Sequence, residues 1–278
     1  MGLGFGTYAH RMLRWEDSIE LIGRTGYDGL ELAVLPDWPT EPQRLSRTDR
    51  GVLRARLDDM GLRLPALLDN LRAAHPDRSA ADNLDRLRRA IELGRELSPR
   101  TPPIFETVLG GAPREWEDVK QQMVDEIGKW TRVAAAAQTV ICFKPHVSHA
   151  VNDVERSLWL VEQIGSPYFR CTYDYSHLWL AGLDLVESLD ALLPVSSYVH
   201  LKDAERAGDR HRFLLPGEGE TDYTELFRGM ARHGYGGFAT VEVSAQIHRE
   251  PEYEPIATTR TCYERMEEAM EAAGLRRP

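Results

Sequence analysis

The sequence predicts an α/β fold, a closed barrel of eight parallel strands with a helix after each. Three observations predict it. Short apolar runs of period-2 patterning alternate strictly with amphipathic stretches of helical period, and such alternation implies a parallel sheet. Eight of these units can be marked off, and eight in one chain imply that the sheet closes. The chain has 278 residues, close to the ~250 typical of one such barrel. A single (β/α)8 TIM barrel covering residues 1–278 is therefore expected, with no linker composition to divide it.

The first strand covers residues 2–10 and ends near Tyr8-Ala9-His10. Its helix, 15–26, buries Ile19, Leu21 and Ile22 as a stripe. The second strand, 27–35, carries Glu31. The loop Pro36-Asp37-Trp38-Pro39-Thr40-Glu41-Pro42 cannot be helix or central strand; it reads either as a lid that brings Trp38 over a pocket or as an ordered surface loop. A helix over 46–61 closes at Gly61. The third strand is 62–68, followed by Asp69-Asn70. A helix from Ser79 to residue 97 places Leu84, Leu87 and Ile91 at helical spacing. The fourth strand, 102–107, precedes Gly110-Gly111, and the longest helix spans 114–137.

The fifth strand, 139–146, puts Lys144 and His146 on one face, and the helix after it, over 151–164, stops at Gly165-Ser166-Pro167. The sixth, Phe169-Arg170-Cys171-Thr172-Tyr173-Asp174, puts Arg170, Thr172 and Asp174 on one face, with His177 in the following loop. A helix over 183–193 stops at Pro194. The seventh strand, 196–201, enters His200-Leu201-Lys202-Asp203. A loop runs through Pro216-Gly217-Glu218-Gly219 to a helix over 221–233 with Thr221 as N-cap. The eighth strand, 236–243, is followed by a last helix from about Glu254 to the end.

Composition narrows the function. A 42% hydrophobic content suffices for a large core. No apolar run reaches 18 residues, so no membrane span is expected. Nor does the Met1-Gly2-Leu3-Gly4-Phe5-Gly6 start read as a secretory signal, and Gly6 argues against myristoylation. Cys142, Cys171 and Cys262 are far apart and odd in number, which reads as reduced thiols in a cytoplasmic protein. A net charge of −10 opposes a phosphate backbone, so no nucleic-acid partner is expected.

The polar residues at strand ends are Glu106, Lys144, His146, Asp174, His177, His200 and Glu242. Any one alone is more often a satisfied structural residue than a ligand. Barrel interiors are normally apolar, and inward ionisable groups are expensive unless paired. Their convergence on one mouth carries the signal, because Asp, His and Glu from successive strands suit a divalent cation.

On Tyr173-Asp174-Tyr175-Ser176-His177, on Tyr198-Val199-His200-Leu201-Lys202-Asp203, and on Pro216-Gly217-Glu218-Gly219 followed by Gly236-Gly237-Phe238-Ala239-Thr240-Val241-Glu242, the chain resembles the xylose isomerase-like TIM barrels. That sugar phosphate isomerase/epimerase superfamily includes ketose 3-epimerases, inosose dehydratases and AP-endonuclease-type nucleases. The resemblance covers essentially the whole chain. It implies that Asp174, His200 and Glu242 are three of four ligands of one divalent ion, Mn²⁺ first, with Mg²⁺, Zn²⁺ or Co²⁺ as alternatives. It also implies that His177 contacts substrate, that Arg206 holds substrate oxygens, and that Glu242 is an acid/base carboxylate. Glu106 and Trp38 complete the expected substrate-binding set.

One departure matters. The family pattern at the fifth strand is Glu-x-His, supplying a fourth ligand and second base; this chain has Lys144-Pro145-His146. A protonated lysine about 4 Å from a divalent ion is repelled by several kcal/mol even at an effective dielectric near 20. Three outcomes stay open. Lys144 is neutral and acts as a base, with His146 beside it; or the ion is held by three residues and another, Glu106 being the best candidate; or the ion is absent and the Lys144 cation takes over its role.

The nuclease reading fares worse. The second and third strands end in Ala33-Val34-Leu35-Pro36 and Leu68-Asp69-Asn70, without the histidines of a three-ion cluster, and Gly217-Glu218-Gly219 is too short for a phosphate loop. The sequence thus points to a cytoplasmic isomerase or epimerase for a small polyhydroxylated substrate, working by proton abstraction next to a carbonyl. A dehydratase or lyase is the alternative, and a non-catalytic sugar-binding barrel with a decayed metal site is the alternative of another class. A homo-oligomer is compatible with either.

Overall fold

Strand β1, Gly2–Gly6, sets the inner dimensions of the barrel. Its inward positions are all glycine, while Leu3 and Phe5 point outward into the buried layer beneath the helices. A Cβ on Gly4 would lie 2.6 Å from Thr240 Oγ1, and one on Gly6 3.2 Å from Glu31 Oε1. The missing side chains thus leave room for polar groups from the two neighbouring strands. The computed structural model that shows this describes residues 1–75, 80–208 and 210–277, leaving aside the side chains of residues 80 and 81.

The remaining barrel strands are β2 Gly29–Ala33, β3 Arg63–Leu68, β4 Ile104–Thr107, β5 Ile141–Phe143, β6 Phe169–Asp174 and β7 Ser196–Leu201. An antiparallel hairpin follows, β8 Asp203–Ala207 with β9 Arg210–Leu214, and then the last barrel strand, β10 Phe238–Val241. The barrel closes in the order β1-β10-β7-β6-β5-β4-β3-β2, every pair parallel. Its floor is filled by Ala66, Cys142, Tyr198 and Phe238. Tyr198 satisfies its buried hydroxyl by donating to Thr240 Oγ1 at 2.7 Å. Register then sets Asp174 beside His200 and His200 beside Thr240, so the layer above this floor is ionisable rather than apolar.

The helices are α1 Trp15–Thr25, α2 Arg47–Asp59, α3 Ala80–Leu97, α4 Trp116–Ala136, α5 Val154–Ile164, α6 Tyr175–Leu180, α7 Leu185–Leu192, α8 Tyr223–Arg232, α9 Ala245–His248 and α10 Pro255–Ala272. Ser46 and Asp49 make a capping box at α2, satisfying the free amides of the first turn. Met60 is the C-cap of α2, and Gly61 follows it at φ +65°. Ser79, the start expected for α3, lies outside the described residues.

Several boundaries differ from expectation. The first strand ends at Gly6, and residues to His10 form a 3-10 turn. Asp222, not Thr221, caps α8, accepting from the Glu225 amide. His177 lies in α6, not in a loop, because Asp174 turns the chain at once by accepting from the Ser176 amide and hydroxyl. The hairpin β8–β9 stands where a loop was expected. Among the described residues no helix is long and apolar enough to cross a membrane. The three cysteines are free and buried.

His10 ties β1 to two helices. Its Nδ1 lies 2.7 Å from Ser18 Oγ and its Nε2 2.9 Å from Thr259 Oγ1. Thr259 already donates its hydroxyl hydrogen to Pro255 O, so Nε2 donates and Nδ1 accepts. Burial, aided by His248, pulls His10 from 6.5 down to about 3. The folded chain therefore refuses a proton that the unfolded chain binds below 6.5, and stability should fall as pH drops from about 6.5 towards about 3. Urea unfolding across that window should show the loss, and His10→Gln should flatten it. Equal slopes in the two proteins would show that His10 is not its source.

Candidate active site

The carboxyl ends of β5, β6, β7 and β10 converge on one ionic cluster. Glu242 comes directly after β10, and its amide donates to Leu201 O at 3.1 Å. Lys144 comes directly after β5, with its amide on Thr107 O at 2.9 Å. Each therefore continues the inward alternation of its strand by one step. The Lys144 ammonium lies 2.6 Å from Glu242 Oε2, 3.1 Å from His200 Nδ1 and 3.7 Å from Asp174 Oδ2. A second ammonium, Lys202, lies 2.6 Å from the same Glu242 oxygen, 3.0 Å from Asp174 Oδ2 and 3.1 Å from His177 Nε2. The neighbouring Asp203 anchors the backbone at Lys202. Asp203 Oδ2 accepts from the amides of Gly217 and Gly219 at 2.8 and 3.1 Å, which clamps the glycine turn against the end of β7.

Every member of the cluster is buried, so its charges survive only by pairing. Burial alone would push the Lys144 amine down, but the carboxylates of Glu242, Glu106 and Asp174 lift it well above its ordinary value. Burial likewise opposes ionisation of Glu242, yet Lys144, Lys202 and His200 hold its carboxyl well below the usual range. Burial pulls His200 down, and Glu31 and Glu242 together raise it against that to about 10. Its Nε2 is 2.9 Å from Glu31 Oε2, which orients the ring with Nδ1 towards Lys144 and Glu242. That link closes in either protonation state: Lys144 donates to a bare Nδ1, or a protonated Nδ1 faces Glu242 Oε2 at 3.4 Å. Glu106 sits beneath without a hydrogen-bond partner for either oxygen, and burial raises it to about 7 against the pull of Lys144.

Above the cluster opens a cavity of about 770 Å³, lined by Tyr8, Lys144, His146, His149, Lys202 and Glu242 among others. Burial pushes His146 down to about 2 and His149 to about 4, with neighbouring charge adding to both. Both rings are therefore neutral near pH 7. Further out the wall carries Asn70, Arg72, His75 and Arg86. The size suits a small polar ligand.

The structure brings Asp174, His200, Glu242 and Lys144 together and places the other predicted residues differently. Strand β5 ends at Phe143, so Lys144 and His146 do not share a strand face. The His146 ring instead stacks on His149 and tilts against His177, both at 4.1 Å between centroids. His177 is fully buried beneath it. Arg206 lies on β8, donates to the carbonyls of Trp179 and Leu180, and does not line the cavity. Trp38 is buried behind Tyr8, stacked at 5.2 Å, so Tyr8 rather than Trp38 meets the cavity. Glu106 underlies the cluster without reaching the cavity. Sequence reasoning missed Lys202 and Glu31 as members. Lys202 is two residues after His200 and so on its face; Glu31 faces inward on β2.

A family model described as the xylose isomerase-like TIM barrel matches residues 19–273. The chain belongs to this family. It is 25% identical to the putative L-ribulose-5-phosphate 3-epimerase SgbU of Escherichia coli K12, over 92% of this chain and 93% of that one. Inosose dehydratase of Geobacillus kaustophilus is 25% identical over 76% and 77% of the two chains. Among solved structures, the IOLI protein with a bound zinc atom superimposes with a TM-score of 0.78 at 18% identity, covering 99% of this chain and 98% of that one. The relatives are thus epimerases and dehydratases, and one fold neighbour holds zinc.

Asp174, His200 and Glu242 offer one ligand atom each, all within 4.8 Å of one another, the kind of grouping from which a metal site is built. As the side chains stand they do not fit a divalent ion. Zinc bonds its nitrogen and oxygen ligands at about 2.0–2.2 Å, and two ammonium nitrogens already crowd the oxygens it would need.

Breaking a buried pair leaves a charge unpaired, which costs about 3–5 kcal/mol. Lys144→Met should cost about 3 kcal/mol, the lower end of that range, because Lys202 still faces Glu242. In a double-mutant cycle with Glu242→Gln, urea unfolding should give a coupling of roughly 0.5–3 kcal/mol. Simple additivity would show that the 2.6 Å contact carries no net energy.

Proposed function

We propose that this barrel abstracts a proton next to a carbonyl of a small polyhydroxylated substrate, a keto sugar, cyclitol or related derivative, and so isomerises or epimerises it. Glu242 is the base. The observation that carries this reading is the single carboxylate at the cavity floor with two ammoniums on one of its oxygens, each at 2.6 Å. A substrate carbonyl oxygen entering the cavity competes for those ammoniums. As they turn to it, Glu242 loses the partners that suppress its basicity while the forming enediolate gains them. Base strength and charge stabilisation therefore rise together. Inversion also requires a proton delivered on the other face of the substrate; His146, on the cavity wall, does so only after taking up a proton from solvent, because its resting ring is neutral.

Elimination is the second reading. Lys144 stands where a second carboxylate would serve a symmetrical two-base inversion, and one base with an ammonium beside it suffices to remove an α-proton and assist loss of a β-hydroxyl group. The dehydratases among the relatives support this reading. Isomerisation by one base that returns the proton to the adjacent carbon needs no second carboxylate either.

Glu242→Gln keeps the shape of the side chain and removes its basicity. Turnover should fall by roughly 10²–10⁴. The decisive assay is exchange of the substrate α-proton with deuterated solvent, the first half of either reaction. Exchange that persists unchanged in Glu242→Gln would remove Glu242 from the mechanism.

A further inference from the structure

We propose that the Lys144 ammonium is the built-in cation of this barrel and that the centre takes up no divalent ion. The three candidate ligands define a point at the barrel mouth, and the Lys144 nitrogen already occupies its neighbourhood. It contacts each of the three, Glu242 Oε2 at 2.6 Å, His200 Nδ1 at 3.1 Å and Asp174 Oδ2 at 3.7 Å. Lys202 reinforces it from the other side, 2.6 Å from Glu242 and 3.0 Å from Asp174. An ion could enter only if Lys144 left the space enclosed by its ligands, and the lysine is 3% exposed, so its departure would uncover a buried charge. The residue that a fourth ligand would need to be is the one that fills the site.

The ligands themselves remain well built. Glu31 fixes the His200 ring through Nε2 at 2.9 Å, the arrangement that second-sphere carboxylates give metal-bound histidines. Ser176 holds Asp174 through Oδ1 at 2.6 Å, leaving Oδ2 without a well-aligned hydrogen bond. Of the two ammoniums Lys144 touches all three candidate ligands and Lys202 only Glu242 and Asp174, so removing Lys144 should open the centre to an ion. The inference is independent of the catalytic reading, since ion content is measured without substrate.

The test uses tag-free full-length protein incubated separately with Mn²⁺, Zn²⁺, Co²⁺ and Mg²⁺, desalted and analysed for metal. The wild-type chain should retain none of them and show no shift of its unfolding temperature. Lys144→Glu should retain one ion per chain and melt at higher temperature with it than without. Lys144→Met, which opens the space without adding a donor, should bind the same ion more weakly. Retention of one ion per wild-type chain, lost in Asp174→Asn, would overturn the proposal whatever the variants do. So would failure of both Lys144 variants, folded by circular dichroism, to take up any ion.

Discussion

A charge inside a barrel persists only if another charge meets it, and here the contact of Glu242 with two lysines satisfies that constraint. The two ammoniums converge on a single carboxylate oxygen, and Asp174, His200, Glu31 and Glu106 are arranged around them. Removing any one changes the balance for the rest, because in a low-dielectric interior each charge is stabilised by all its neighbours. The space for this layer comes from the bare inner face of β1, where Gly4 and Gly6 admit Thr240 and Glu31. Glycine on one strand is therefore the backbone condition for the charge network on the others.

The same network links ground-state stability to reactivity. A carboxylate pinned by two cations is a weak base, and a cation pinned by a carboxylate is a weak electrophile. A ligand that separates them activates both. The open side of the cluster is the cavity, which Glu242 and both lysines line, whereas Glu31 and Glu106 lie below and do not line it. The deeper carboxylates position and balance, and Glu242 is the carboxylate that lines the cavity.

Much of the fold is legible in the sequence because helical and strand periods alternate cleanly, and parallel closure follows from the count. The hairpin β8–β9 is not, since its exposed residues Glu205, Arg206, Arg210 and Arg212 read as a charged loop, while Asp203, Ala204, Phe213 and Leu214 are buried at its base. Strand β5 is three residues long, too short for period-2 patterning to place its end, which is why the pattern puts His146 on the face of Lys144. Asp174, His200 and Glu242 are legible because each ends a predicted strand. Lys202 is hidden by its residue type, as lysines are mostly exposed, although its spacing from His200 marks it as inward. Arg206 and Trp38 mislead for the opposite reason: sequence position says where the backbone goes, and long side chains decide locally what they touch.

The central claim is that an ammonium, not a metal, holds the position between Asp174, His200 and Glu242. Anomalous diffraction from crystals grown with Zn²⁺ tests it most directly. The account predicts continuous Lys144 side-chain density reaching Glu242 and no anomalous peak among those three residues. A strong anomalous peak there, with Lys144 turned away, would contradict it.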